Sequence, residues 1–419
     1  MESPASFPAT VDQVLAALGS SVEMLGFGEP LHSGERNLAL RNRFFQHLVA
    51  AHGYTAIAVE SSFPRSRLVN DYVLGRGAAT AYDDVKETGF GQGFGRLEAN
   101  RELVEWMRKY NADPAHPTKL HFYGFDIPAA TNPGIVSPRP ALYLAFDYLT
   151  SVDHAKGAAW RQQIDGLLGE DARWENPASY MDPKQSPGLS PDANALRLAV
   201  EDLISELQMR RPEFVARRGQ DAFLAALHDA VVARQFLNFH AAMARESATR
   251  QQDLLALRDA MMGDNLAYIL GRERGRGKVF VFAHNSHLRR GQADMSFGPH
   301  VMRWWPAGSL VHDMVGARYA VIGSAMGTSE DNKIGTPEPG SLEARFATQG
   351  PAFFIPTHRE AALPAGEIAA LPVRSGSLKN PSYMPLIAQN LTDFDWLAFL
   401  ATDTHARGGW PLVDRGTGA

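Results

Sequence analysis

The feature that most constrains this chain is a set of short, nearly uninterrupted apolar runs: TAIAVE at 55–60, KVFVFA at 278–283, YAVIG at 319–323, AFFIP at 352–356 and WLAFL at 396–400. A strand without polar alternation is buried on both faces, which happens when helices cover both sides of a parallel sheet. The segments between these runs fit that requirement. Strand-like 22–28 precedes a helical pattern at 36–52, and TAIAVE precedes another at 65–74. The glycine-rich GFGQGFG at 89–95 leads into helix-like 97–110, which is followed by strand-like KLHFYGF at 119–125. This alternation predicts an α/β fold with a mainly parallel central sheet flanked by helices.

From about 139 to 275 the pattern changes to long helical stripes. Leu196, Val200, Leu203 and Leu207 form one, Phe223, Leu227 and Val231 another, and Leu254, Met261 and Ile269 a third. We read this stretch as a helical insertion, placed to act as a lid, within one catalytic domain spanning 1–419. Composition narrows the function. Hydrophobic residues at 45% and charged residues at 21% describe an ordinary globular chain. A net charge of −5 with no run of Lys or Arg excludes a nucleic-acid partner. The chain has no cysteine, which rules out disulfides, thiolate ligands and a Cys nucleophile. No stretch of about 18 apolar residues occurs, so no membrane span is expected. The amino terminus has no basic segment ahead of an apolar one, and a cytoplasmic protein is expected.

In an open parallel sheet, ligands bind beyond the carboxyl ends of the strands, so polar residues directly after apolar runs carry the chemistry. Glu29 and His32 follow the first run, Glu60 ends the second, Asp126 follows the third, and His284 and His287 follow the fourth. Arg41 falls in the apolar stripe of Leu38, Phe45, Leu48 and Val49. A guanidinium there needs a carboxylate, and Glu29 or Glu60 is the expected partner. His32 suits a general base for water because imidazole titrates near working pH, and Glu29 is close enough in sequence to orient it. The pair His284 and His287 could bind a metal, donate to an oxyanion or satisfy a loop.

Several mechanisms are excluded. The segment Gly323–Gly327 places Ala325 where a GxSxG elbow has its serine, and neither a nucleotide-binding glycine motif nor H-E-x-x-H is present. The run 89–95 follows no strand and is read as a mobile loop, not a phosphate cradle.

The block GEPLHSGERNLALRNRFFQHLVAAHGYTAIAVESSF resembles the opening motif of the erythromycin esterase family. LVEWMRKYN, HFYGFDI, RDAMMGDN and KVFVFAHNSHL follow in that family's order. The resemblance covers roughly residues 20–400. It implies a carboxylic ester or lactone hydrolase acting on a small molecule, with the macrolactone of macrolide antibiotics as the suggested substrate and no cofactor. Carried over position by position, it implies an active site of Glu29, His32, Arg41, Glu60, His284 and His287. His32 would activate water, the acids and Arg41 would hold base and water, and the two later histidines would stabilise the oxyanion. Asp126 and the tryptophans Trp304 and Trp305 are further candidates for contact with substrate, whereas Arg258 and Asn265 share an apolar helical face and read as structural. Two alternatives remain at this stage. One is a metal-dependent hydrolase with the same His/Glu cluster as ligands, and the other is a binding protein that holds an apolar ligand without turnover.

Overall fold

Burial on both faces turns the apolar runs into strands: every residue of β1 (Met24–Glu29) and β2 (Tyr54–Ser62) is buried. The computed structural model describes residues 6–127, 136–297, 300–357, 370–377 and 379–412. The chain forms two compact units, one of Met1–Asp126 with Met262–Ala419 and one of Ile127–Met261.

The first unit is built on a seven-stranded sheet of order β3-β2-β4-β1-β7-β9-β8. Its other strands are β3 (His121–Asp126), β4 (Lys278–His284), β7 (Tyr319–Thr328), β8 (Ala352–Pro356) and β9 (Trp396–Thr402). All pair in parallel except β8, which runs antiparallel to β9 at the edge. The expected α/β architecture is therefore the observed one. Between β4 and β7, β5 (Ala293–Phe297) and β6 (His300–Trp304) form a separate antiparallel pair that the sequence pattern does not announce.

Helices α1 (Phe7–Leu18), α2 (Glu35–Ala51), α3 (Ser66–Val73) and α4 (Glu98–Ala112) supply much of the covering layers. Phe44 and Phe45 of α2 stack on Phe280 of β4 with ring centroids 5.6 and 5.9 Å apart. The amino end of α2 lacks a side-chain cap of its own. Asp403, just past β9, supplies one by accepting the Arg36 N–H at 2.7 Å and the Asn37 N–H at 3.4 Å. Gly34 makes room for it, because a Cβ there would lie 2.6 Å from Asp403 Oδ2.

The second unit is helical, with long elements at Arg139–Val152, His154–Leu168, Pro191–Met209 and Gln220–Met243. Leu196, Val200, Leu203 and Leu207 are buried as their spacing predicts. In Gln220–Met243 the buried residues include Phe223, Ala226, Ala230, Val232, Ala233, Phe236 and Leu237, while Leu227 and Val231 are only half-buried. The small alanines among them allow close helix packing that a search for large apolar residues passes over. Among the described residues no helix is long and apolar enough to cross a membrane.

Candidate active site

Strand order decides the site. Because β4 inserts between β2 and β1, the polar residues that end three runs far apart in sequence become neighbours. Glu29 of β1 is paired in register with His284 of β4, and Glu60 of β2 accepts the His284 backbone N–H at 2.9 Å. Between Val59 and Ser62, β2 carries one residue more than β3 across the same interval. Such a bulge re-aims side chains at a strand end, and here it falls on Glu60 and Ser61.

His32 lies in the turn between β1 and α2, with its side chain 24% exposed. Its Nδ1 is 2.8 Å from Glu29 Oε1. A carboxylate only accepts, so Nδ1 carries the proton and the neutral ring presents a lone pair at Nε2. That nitrogen is 3.8 Å from Glu60 Oε1, which is in turn 3.4 Å from His287 Nε2. The turn itself is held from the C-terminal third. Ser382 Oγ accepts the His32 N–H at 2.9 Å, Asn380 donates to the His32 carbonyl at 3.3 Å, and the Ala406 N–H donates to the Ser33 carbonyl at 2.8 Å. Ser33 adopts a φ of 64°, a backbone state that such ties keep populated.

The electrostatics follow from burial. Desolvation pushes the Glu29 carboxyl above the usual range, against the hydrogen bond and charge of His32, and Glu29 Oε2 is buried with no hydrogen-bond partner. For His32, burial favours the neutral ring, but the charge of Glu60 and the bond to Glu29 outweigh it and hold its pKa above the ordinary value. His284 is pushed down to about 3 by burial, and then by the neighbouring His32. Glu29, Arg41, Glu60 and Phe94 border a cavity of about 20 Å³, room for one water-sized molecule.

Two expectations need correction. Arg41 makes no direct ion pair with Glu29 or Glu60. Its guanidinium donates to Asn42 Oδ1 at 2.7 and 3.0 Å and to the Ala99 carbonyl at 3.4 Å, and it rests over the Phe282 ring at 4.8 Å. A neutral amide, a carbonyl and an aromatic face thus solvate it, and Glu29 acts on it through space. His284 also has both ring nitrogens engaged by the chain. Nδ1 accepts from the Ser286 N–H at 3.2 Å and lies 2.8 Å from its hydroxyl, and Nε2 donates to the Ser382 carbonyl at 2.9 Å. In this arrangement it has no donor left for an oxyanion.

Asp126 is buried at the end of β3, beside β2, with its position paired to Ser62. Trp304 is buried in the hairpin opposite Ala293, whereas Trp305 is 54% exposed. None of these three borders the cavity at Glu29 and Arg41. Asn265 donates to the Phe125 carbonyl at 3.0 Å and so secures β3. The run 89–95 packs beside the site instead of lying free: the Gly91 N–H donates to Ser61 Oγ at 2.7 Å, and the Phe94 ring lies 5.4 Å from that of His32.

Ser382, Phe94 and Asn285 escaped the sequence reading. Asn285 bonds the Ser324 backbone in both directions, at 2.7 and 3.0 Å, passing over β1 at Gly28. A Cβ at Gly28 would stand 2.2 Å from its Oδ1, so the glycine of GFGE is the one trace of this bridge in the sequence.

The donors fit a single metal ion poorly. Both ring nitrogens of His284 are engaged by the chain, and no three of the five side chains bring their ligand atoms within 4.8 Å of one another.

Comparison with known proteins agrees with this architecture. The family model described as erythromycin esterase matches residues 49–400, which include Glu60, His284 and His287. An erythromycin esterase type II from Escherichia coli is 22% identical over 275 residues, 64% of this chain and 61% of that protein's length. A solved Bacillus cereus protein superposes with a TM-score of 0.73 at 18% identity, covering 97% of this chain and 95% of its own. A succinoglycan biosynthesis protein gives 0.69 at 17% identity, covering 95% and 92%. An erythromycin esterase mutant in its open conformation gives 0.66 at 17% identity, covering 94% of each chain. The structural likenesses speak for the fold, and the family match covers most of the chain, with β1, Glu29, His32 and Arg41 lying ahead of the matched residues: this chain belongs to the erythromycin esterase family.

Proposed function

We propose that the protein hydrolyses a carboxylic ester or lactone, with a macrolide macrolactone as substrate, by attack of water that His32 activates. One observation carries the reading: Glu29 Oε1 lies 2.8 Å from His32 Nδ1 and so orients a side chain that is 24% exposed, with Nε2 3.8 Å from Glu60 Oε1. In the reaction Nε2 takes a proton from water as the hydroxide adds to the carbonyl carbon. The imidazolium is stabilised by Glu29 and Glu60. The tetrahedral oxyanion then collapses, the ester C–O bond breaks, and the leaving alkoxide takes the proton back from His32. We assign the stabilisation of developing charge to His287, whose Nε2 lies 3.4 Å from Glu60 Oε1, and positioning roles to His284 and Arg41. No side chain becomes acylated.

Incubation with erythromycin followed by mass spectrometry should show addition of one water, and His32→Ala should abolish it. Single turnover in ¹⁸O-water should place the label in the product acid and never in the protein. Equal inertness of wild type and His32→Ala toward erythromycin and a broad ester panel would remove the basis of the proposal.

A further inference from the structure

At the edge where the strands begin, a second group of side chains converges that plays no part in the chemistry above. Asp12 of α1 meets His47 near the end of α2 and His52, the residue that ends that helix. His47 Nε2 and His52 Nε2 lie 2.6 and 2.7 Å from the same oxygen, Asp12 Oδ1. On a continuous helix a spacing of five residues would turn the two imidazoles about 140° apart. His52 leaves the helix with φ −127° and ψ 9°, and this brings its ring back to within 5.3 Å of His47. Among the described residues, this is the one trio of His, Asp or Glu whose ligand atoms all lie within 4.8 Å of one another.

Three further observations bear on what the trio can hold. Each Nε2–H donates to Asp12 Oδ1, and among the described residues neither Nδ1 has a partner in the chain, so each ring can keep a proton on Nδ1 while a cation takes the place of the two Nε2 protons. The two rings are inclined at 70° to one another, so their Nε2 atoms meet Asp12 Oδ1 from different directions. Finally, the side chains are 50%, 16% and 25% exposed, which leaves solvent access on one side. Two imidazoles and one carboxylate form the donor set of a tetrahedral site with one water position once their atoms spread from the present 2.6 and 2.7 Å to the roughly 3.4 Å edge that metal–ligand bonds of about 2.0–2.2 Å require.

We propose that Asp12, His47 and His52 bind a divalent first-row transition cation, with zinc the best fit, which clips α1 to the end of α2. The site is separate from the hydrolytic cluster and predicts a specific confusion: purified protein can carry stoichiometric zinc that has no role in ester cleavage.

The full-length protein, stripped with chelator and dialysed, is titrated with zinc chloride by calorimetry and with cobalt chloride by visible absorption. One equivalent should bind in the micromolar range or tighter, and cobalt should give the intense bands of a tetrahedral ion. His52→Ala and the nearly isosteric Asp12→Asn should each weaken affinity by at least about tenfold, while Glu60→Gln leaves it unchanged. Thermal melts confirm that each variant is folded. Absence of saturable one-to-one binding in wild type would overturn the proposal, as would affinity that survives in folded His52→Ala and Asp12→Asn. Loss of binding in Glu60→Gln instead would place the cation in the hydrolytic cluster and also overturn it.

Discussion

Replacing Glu29 by Gln separates catalysis from folding at one atom. The Gln carbonyl can still accept from His32 Nδ1, so the 2.8 Å contact and the tautomer persist while the charge disappears. A unit charge about 4 Å from an imidazolium is worth about 1 kcal/mol in water and about 4 kcal/mol at an effective dielectric of 20. With Glu29 buried and His32 only 24% exposed, the upper half of that range applies. The imidazolium forms in the transition state, so kcat/KM should fall roughly 70- to 1,000-fold. The pH profile carries the sign. His32 titrates above its ordinary value, in part because of Glu29, and the base works only when neutral, so wild-type activity falls as pH drops through that raised pKa. Without the Glu29 charge the pKa falls and the acid limb moves to lower pH.

Stability should not follow activity. Burial raises the Glu29 pKa, so the folded state favours the protonated form, and the ionised group costs stability progressively as pH rises through the raised pKa. A neutral amide removes that cost, and Tm at neutral pH should be unchanged or higher. Steady-state hydrolysis across pH, paired with thermal melts, checks both arms. An acid limb that stays in place or moves upward in Glu29→Gln would refute the assignment of Glu29 as the charge behind His32.

Three other outcomes follow from the geometry. Gly28→Ala pushes a methyl group to 2.2 Å from Asn285 Oδ1; it should cost about 1–3 kcal/mol in urea unfolding and lower hydrolysis by shifting the short helix Asn285–Leu288 that carries His287. Ser382→Ala removes the acceptor of the His32 N–H and should lower kcat more than it raises KM, with a stability loss of about 1 kcal/mol; a change confined to KM would argue against a positioning role. Glu273, buried at the other end of the sheet, accepts from Thr55 at 2.9 Å and Tyr123 at 2.7 Å and lies 2.6 Å from His121 Nδ1. Burial alone would raise its pKa, yet these partners, His121 first, bring it below the usual value. Its stabilisation is therefore present above the unfolded-state pKa and lost as pH falls through the folded one. Glu273→Gln should flatten that acid limb of stability, and a wild-type-like pH dependence of Tm would count against it.

Patterning along the chain was enough to locate the elements and the candidate residues. An apolar run without alternation has to be covered on both faces, so TAIAVE, KVFVFA and YAVIG declare a parallel sheet, and the acids and imidazoles that end such runs declare where the chemistry lies. Arg41 in an apolar stripe declared a buried charge, but nothing local could say that an amide, a carbonyl and a ring would receive it. Only the tertiary structure decided that β4 lies between β1 and β2, which sets Glu29 beside His284 although 255 positions separate them. It also decided which histidine is free to act. His32 and His284 look alike in sequence, yet the His32 side chain is 24% exposed and bonded to Glu29 through Nδ1, while His284 has both nitrogens bound by Ser286 and Ser382. The reason is physical: periodicity and burial are recorded along the chain, whereas hydrogen-bond partners across the end of a sheet depend on strand order and on loops that return from hundreds of residues away.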